Sequence, residues 1–398
     1  MAKYIEDEYD EERPRRKSGS GSGSRNGSGR GPAGRSGSGR GGSGKKSSRK
    51  QQAKKQRRRI IFFVAELVVL VVAVFVLYGV MSGTKSGKMV LDNDEIIIND
   101  KVVQAQETTM KGYRNIALFG VDSTTGALTK STRSDTIMIA SINQDTGECK
   151  LVSVYRDTYL NLSNDSYNKC NAAYAKGGPE MAISMLNMNL DMNITDFVTV
   201  GFAGLTDTID ALGGVYIDVD DSEISHLNNY QLCIAEDLKR TYTPVSSTGY
   251  QLLDGLQATG YCRIRYTAGD DFKRAERQRE VLAAVADQAK KASLPKLTET
   301  ANAVFNETYT SLDLTEIIEM LGNVGSYYIS DTAGFPQESN RTTGTIGSKG
   351  SCVIPLNLED NVKWLHQFLF NDYEYEPSAT VKECSEKIYS DTNGYLKK

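Results

Sequence analysis

Histidine is nearly missing from this 398-residue chain, which holds only His226 and His366. An imidazole-based zinc site, or a nucleophile activated by a histidine base, would have to use one of those two, so both chemistries are set aside. The cysteines (Cys149, Cys170, Cys233, Cys262, Cys352, Cys384) contain no C-x-x-C pair, which argues against ribbon-type metal sites and dithiol redox motifs. No segment recurs at a fixed period, against a solenoid. Residues 18–49 are mostly Gly, Ser, Arg and Lys. They have almost no apolar surface to offset conformational entropy, and a disordered basic tail is expected there. Net positive charge is missing from the remainder. Residues 1–59 carry 18 Lys and Arg against 6 Asp and Glu, a net +12, so the total of −3 leaves −15 for the rest of the chain. An acidic remainder excludes nucleic acid as its partner, because that affinity needs a dense basic surface.

The tail gives way to IIFFVAELVVLVVAVFVLYGV, residues 60–80. At 1.5 Å per helical residue this run matches the roughly 30 Å core of a bilayer. It is too long, and starts too far into the chain, for a cleaved signal peptide. An uncleaved single-pass transmembrane helix is therefore expected, with Glu66 snorkelling near its basic end. The positive-inside rule puts residues 1–59 in the cytoplasm and residues 81–398 outside the cell membrane. The basic tail suits anionic membrane lipid, and the cysteines all lie on the outer side, where disulfides persist.

Residues 81–112 are polar and read as a stalk. NIALFGVD (115–122), DTIMIASI (135–142) and CKLVSVYRD (149–157) are short apolar runs closed by turn residues, the pattern of buried strands. Paired as antiparallel neighbours, they bring Asp122, Asp135, Arg156 and Asp157 to one sheet edge, with Arg133 in the loop beside them. NAAYAKGG reads as a helix stopped by glycines, and Pro179 starts the next one. DFVTVGF, AGLTDTIDALGG and VYIDVD read as a strand–helix–strand unit. Together these predict an α/β fold, a layered α/β/α domain on a central mixed sheet.

The densest charge lies in YCRIRYTAGDDFKRAERQRE, residues 261–280. An extended segment would point Arg263 and Arg265 the same way. In the helix after it, Asp271, Arg274 and Gln278 share one face, with Arg277 close by, whereas Glu276, Arg279 and Glu280 read as solvated surface charges. Guanidiniums are planar forks suited to phosphate oxygens. Carboxylates in such a cluster need a cation between them and the phosphate, and Mg²⁺ held by one or two carboxylates, phosphate and water fits. On spacing alone an internal salt-bridge network fits equally well.

Seven segments, NIALFGVDS, RSDTIMIAS, LVSVYRDTYL, CNAAYAKGG, IDALGGVYIDV, LDGLQATGYCRIR and GDDFKRAERQREVL, resemble in order the motifs of the LytR-CpsA-Psr family of cell-envelope enzymes. The resemblance runs from about Asn115 to Ala289. It departs at Tyr155, where the family usually has proline, and at Cys170, where an aliphatic residue is usual. The resemblance implies a ligase that moves a glycopolymer from a polyprenyl-pyrophosphate carrier to peptidoglycan. By the same resemblance Asp122 and Asp135 are the ligands of Mg²⁺ or Mn²⁺. Arg156, Arg263, Arg265, Arg274 and Gln278 hold the pyrophosphate, with Arg133 and Arg277 in support. Asp271 is a candidate general base, acting with Arg156 and Arg274.

The family domain is then residues 113–292, and residues 293–398 are a helical appendage packed on it. In that appendage Val362, Leu365, Phe368 and Leu369 recur at helical spacing. The sequence leaves cysteine pairing open. A Cys262–Cys352 bridge is the pairing expected if the Gly/Ser-rich loop near Cys352 folds over the arginine segment. A polyprenyl or nucleotide pyrophosphatase, and a non-catalytic membrane-bound regulator or lipid-binding module, remain competing readings.

Overall fold

A computed structural model describes residues 87–91, 95–122, 128–129, 132–265 and 270–396. The expected tail and transmembrane helix lie outside the described residues, as do parts of the stalk. Among the described residues no helix is long and apolar enough to cross a membrane.

In chain order the elements are β1 (Gly87–Lys88), α1 (Asp100–Ala105), β2 (Tyr113–Val121), β3 (Ser134–Asn143), β4 (Glu148–Val154), β5 (Tyr159–Asn161), β6 (Tyr167–Lys169) and α2 (Asn171–Leu190). Next come β7 (Asp196–Val200), α3 (Phe202–Leu212), β8 (Val215–Val219), α4 (Asp221–Leu238), β9 (Gly249–Leu253), α5 (Gly255–Tyr261) and α6 (Asp270–Lys291). The chain continues through α7 (Leu294–Val304), β10 (Thr308–Thr310), α8 (Leu314–Gly322), β11 (Tyr328–Phe335), β12 (Arg341–Thr345), β13 (Ser351–Pro355), α9 (Leu358–Phe370) and α10 (Ala379–Leu396).

A seven-stranded sheet in the order β1-β10-β7-β2-β3-β4-β11 forms the centre. The three apolar runs pair as antiparallel neighbours, as their turn-bounded patterning requires, and β7 and β11 join in parallel on either side. Alternation along the strands separates the faces. Ala117, Phe119, Ile137, Ile139, Val152 and Val154 pack with α2 in the main core, while Leu118, Ala140, Ile142 and Leu151 meet Leu282 of α6 on the other side. This is the mixed α/β sheet covered on both faces that the sequence predicted. Helix α2 runs through both expected helices and breaks at Gly178, whose φ of 69° lies in the left-handed region.

Three boundaries differ from expectation. The stalk reading fails at its C-terminal end, because Ile96, Val102, Ala105 and Met110 are buried in the main core. Residues 293–398 are not a helical appendage, since β10 and β11 are strands of the central sheet and Val362, Leu365 and Leu369 of α9 are part of its core. The 196–220 unit is also not a βαβ crossover. Strand β8 leaves the sheet and pairs antiparallel with β9 as a separate hairpin, because Tyr216 and Asp218 face outward where a sheet interior would demand apolar residues.

The topology gathers the C-terminal ends of β2, β4, β7 and β11 and the start of β3 at one edge. Open α/β sheets present ligand crevices at such strand ends.

Candidate active site

The site is assembled from the first turn of α6 and that sheet edge. Register shifts between Gly120 and Val121, leaving Asp135 as the extra residue of a β-bulge on β3. A bulge re-aims one side chain without disturbing the ladder on either side. The bulge sits beside a glycine with a reason to be one, because a Cβ on Gly120 would come within 2.9 Å of Thr136.

Asp135 is held by two guanidiniums, accepting from Arg156 Nη1 at 2.9 Å and from Arg265 Nη2 at 3.3 Å. Asp271, in the first turn of α6, faces Arg156 Nε at 3.3 Å, Arg274 Nη1 at 3.3 Å and Arg265 Nε at 3.7 Å. Arg274 also donates through Nη2 to the backbone carbonyl of Asp135. Three guanidiniums thus meet two carboxylates, and one positive charge is left over. The neighbouring Asp157 faces both Arg156 Nε at 3.7 Å and Lys169 at 3.2 Å, so with this pair included four cations still meet three carboxylates. Burial pushes the Asp271 carboxyl up, but the charges of Arg274, Arg156 and Arg265 outweigh it and hold it below its ordinary value. Burial, then repulsion from Arg156, pushes Arg274 down to about 10. It remains a cation at neutral pH, but a crowded one, and its Nε has no hydrogen-bond partner among the described residues. Asp135, Arg156, Asp157, Asp271 and Arg274 line a cleft that also includes Gln278, Phe272 and Val353.

Several expected residues go elsewhere. Arg263 and Arg265 are not on an extended segment. Asp254 and Gln257 cap each other reciprocally and nucleate α5, so both arginines fall in the turn beyond it. Arg263 lies over Phe202 at 4.5 Å and Tyr230 at 5.3 Å, and only Arg265 reaches the carboxylates. Among the described residues Arg277 touches none of the site carboxylates and bears on the site through the turn that carries Arg265. The Arg277 side chain is 2% exposed, pairs with buried Glu223 of α4 at 2.7 Å and donates to the Ile264 carbonyl, which fixes that turn. Arg279 is not a solvated surface charge, being 7% exposed, with Nε and Nη1 unpartnered among the described residues. Asp122 and Arg133 flank the edge as exposed residues.

The cysteines are all free. Cys262 packs with Tyr261 and Val281 in one apolar cluster and Cys352 with the main core in another, so the expected bridge does not form. His366 is buried against Tyr375, with burial pushing its pKa down to about 4.

Sequence reasoning missed Lys169, Tyr155, Arg341 and Val353. Arg341 stacks on Phe272 at 4.0 Å and Tyr155 at 4.8 Å, and donates to the Tyr155 hydroxyl. Val353 reaches the cleft because its amide bonds the Asp157 carbonyl at 2.9 Å. The Tyr155 ring lies across β11, where a Cβ on Gly334 would be 1.9 Å from its oxygen. Only the capping pair Asp254–Gln257 carried a signal in sequence; the others depend on contacts with distant segments.

The sequence profile of the LytR_cpsA_psr family matches residues 74–345. A polyisoprenyl-teichoic acid–peptidoglycan teichoic acid transferase, TagU of Oceanobacillus iheyensis, is 30% identical over 52% of this chain; the match spans 62% of that relative, less than two thirds of its length. Biofilm regulatory protein A of Streptococcus mutans is 27% identical over 68% of this chain and 72% of its own length. The crystal structure of B. subtilis TagV superposes with a TM-score of 0.52 at 25% identity, covering 67% of this chain and 99% of that one. The bulged strand, the arginine cleft and the mixed sheet therefore sit on a recognised family scaffold, and the chain belongs to the LytR_cpsA_psr family.

Proposed function

We propose that this chain is a membrane-anchored phosphotransferase that joins a glycopolymer, delivered on a polyprenyl-pyrophosphate carrier, to a hydroxyl of peptidoglycan. The observation that carries the reading is the convergence of Arg156, Arg265 and Arg274 on Asp135 and Asp271 with one positive charge in excess. A self-contained salt-bridge network has no reason to keep a buried guanidinium that shares its one carboxylate with two others and leaves its Nε unpartnered among the described residues, because an under-compensated buried charge is costly. A diphosphate supplies the missing negative charge. The activity for which the Oceanobacillus relative is named supports the same chemistry.

In this reading the pyrophosphate takes the place of carboxylate oxygens as partner of the guanidinium forks. The acceptor hydroxyl gives its proton to ionised Asp271 while its oxygen bonds the glycan-bearing phosphorus. The bond from that phosphorus to the bridging oxygen breaks, and the carrier leaves as polyprenyl monophosphate. The arginines stabilise charge on the phosphate and leaving-group oxygens. Gln278 lines the cleft and Arg133 stands at its mouth.

Among the described residues no three His, Cys, Asp or Glu side chains form a metal cage. Asp122 and Asp135 at one strand edge fit Mg²⁺ or Mn²⁺ taken up with phosphate and water. Bound there, the ion would supply further neutralisation of phosphate charge. Residues 60–80 are the anchor, residues 1–59 lie in the cytoplasm beside anionic lipid, and the domain faces the wall outside.

The test uses the full-length chain in detergent with a polyprenyl-pyrophosphate-linked glycan, peptidoglycan fragments and Mg²⁺. A phosphodiester-linked glycan on the acceptor, with release of polyprenyl monophosphate, is the expected result. Monophosphate without acceptor labelling would mean a pyrophosphatase. Neither product would favour the regulatory role in the name of the Streptococcus relative.

A further inference from the structure

A groove of about 320 Å³ opens on the opposite half of α6, between that helix and the β8–β9 hairpin. Pairing Tyr216 with Leu252 and Asp218 with Tyr250 puts these four side chains on the hairpin's outer face. Tyr216 and Tyr250 stack with ring centroids 5.3 Å apart and planes 19° apart, and Tyr250 is 72% exposed. Asp218, Glu280, Asp287 and Gln288 line the rest, over a floor that includes Ala283. Lys291 stands over the Tyr216 ring at 5.9 Å.

Large aromatic surface is rarely left in water without a use, and a concave site with a few convergent polar groups is the usual form of a ligand pocket. An aromatic face complements the flat C–H face of a pyranose ring, and planar carboxylates and amides pair with its hydroxyls. The lining holds three carboxylates against Lys291, and even with Lys290, which pairs with Asp287 at 3.3 Å, negative charge stays in excess, which disfavours a phosphate-rich polymer or an anionic lipid surface. An uncharged, hydroxyl-rich strand is not disfavoured. Helix α6 also sets the distance. Asp271 and Glu280 are nine residues apart, roughly 13 Å along the axis and about half a turn around it, so the groove and the cleft open on opposite sides of α6.

We propose that this groove is a binding site for uncharged, hydroxyl-rich sugar units of a glycan strand. The binding stands on the groove alone; that the strand is the acceptor rests on the transferase reading above.

The probe is an N-acetylglucosamine oligomer titrated by calorimetry into the full-length chain in uncharged detergent. The wild type binds it, Tyr250→Ala and Tyr216→Ala each weaken binding about tenfold or more, and Tyr250→Phe retains it. Ala283→Trp, which fills the floor and leaves both tyrosines, abolishes binding. Thermal melts of each variant identify any that fail to fold, and Tyr250 lies outside the core. Arg156→Ala leaves oligomer binding intact even where transfer is lost, so the subsite and the transferase reading fail separately. The proposal is overturned if the wild type does not bind, if Tyr250→Ala binds equally well, or if Arg156→Ala abolishes binding. It is equally overturned if Tyr250→Ala only dissociates an oligomer or releases the chain from vesicles.

Discussion

Arg274 and Arg277 lie three residues apart on one helix and are almost equally buried, with side chains 6% and 2% exposed. Their surroundings differ. Arg277 has one close carboxylate of its own, Glu223, and a backbone carbonyl. Arg274 shares Asp271 with two other guanidiniums and keeps an unpartnered Nε. Burial therefore does not distinguish the arginine proposed to bind pyrophosphate from the one that pairs inside the fold, whereas the balance of charge around each does.

The largest effect expected from breaking this contrast is at Asp271. Asp271→Asn should cut glycan transfer by roughly 10²- to 10⁴-fold, the loss typical of a general base, while lipid-pyrophosphate binding stays near wild type. Turnover and binding measured on the same preparation check this, and undiminished turnover removes the base assignment.

Stability should split the two arginines with opposite outcomes. Arg277→Met leaves Glu223 charged in the interior with the Asp220 amide but no cation against it, and should cost about 3–5 kcal/mol in denaturant unfolding. Arg274→Met removes a cation crowded by Arg156 and Arg265, and should cost less than about 1 kcal/mol while abolishing pyrophosphate binding. Equal losses would end the distinction.

A pH profile tests the same balance more gently. The folded Asp271 carboxyl is held below its ordinary 3.8. A depressed acid contributes its ionic stabilisation fully above the unfolded value and loses it as pH falls through the folded one. Transfer should therefore stay insensitive to Asp271 ionisation down to below pH 3.8. An acid limb nearer neutrality that disappears in Asp271→Asn would contradict the arginine clamp.

The smallest effect is expected at Arg263, which stacks on rings rather than gripping the carboxylates. Arg263→Lys should lower stability by about 0.5–1 kcal/mol, the value of an exposed cation–π contact, with transfer nearly unchanged. A tenfold loss of transfer would return Arg263 to the pyrophosphate site.

Much of the sheet was legible because β2, β3 and β4 are consecutive, and turn-bounded apolar runs specify their own pairing. That local order is also why Asp135 and Arg156 could be brought together from sequence. Helical spacing put Asp271, Arg274 and Gln278 on one face, but it says nothing of Glu223, which reaches Arg277 from another helix. Val353 lines the cleft and Arg341 packs on its Tyr155 and Phe272 from strands far along the chain, and β11 falls within residues 293–398, where the sequence predicts a helical appendage. Their positions follow from long-range packing, to which neither periodicity nor composition is sensitive.

Tyr155 and Gly334 restrict the order in which this sequence could have changed. The Tyr155 ring cannot swing away cheaply, because Phe272 meets it edge-on at 4.6 Å and Arg341 bonds its hydroxyl. A methyl group on residue 334 would fall inside the space that hydroxyl occupies. From any starting point with a larger residue at 334, glycine there has to precede tyrosine at 155. The Tyr155 backbone amide bonds the Phe335 carbonyl at 3.0 Å, a donor that proline at this position could not offer. Once both are in place neither position drifts alone, and the two should vary together among descendants of this chain.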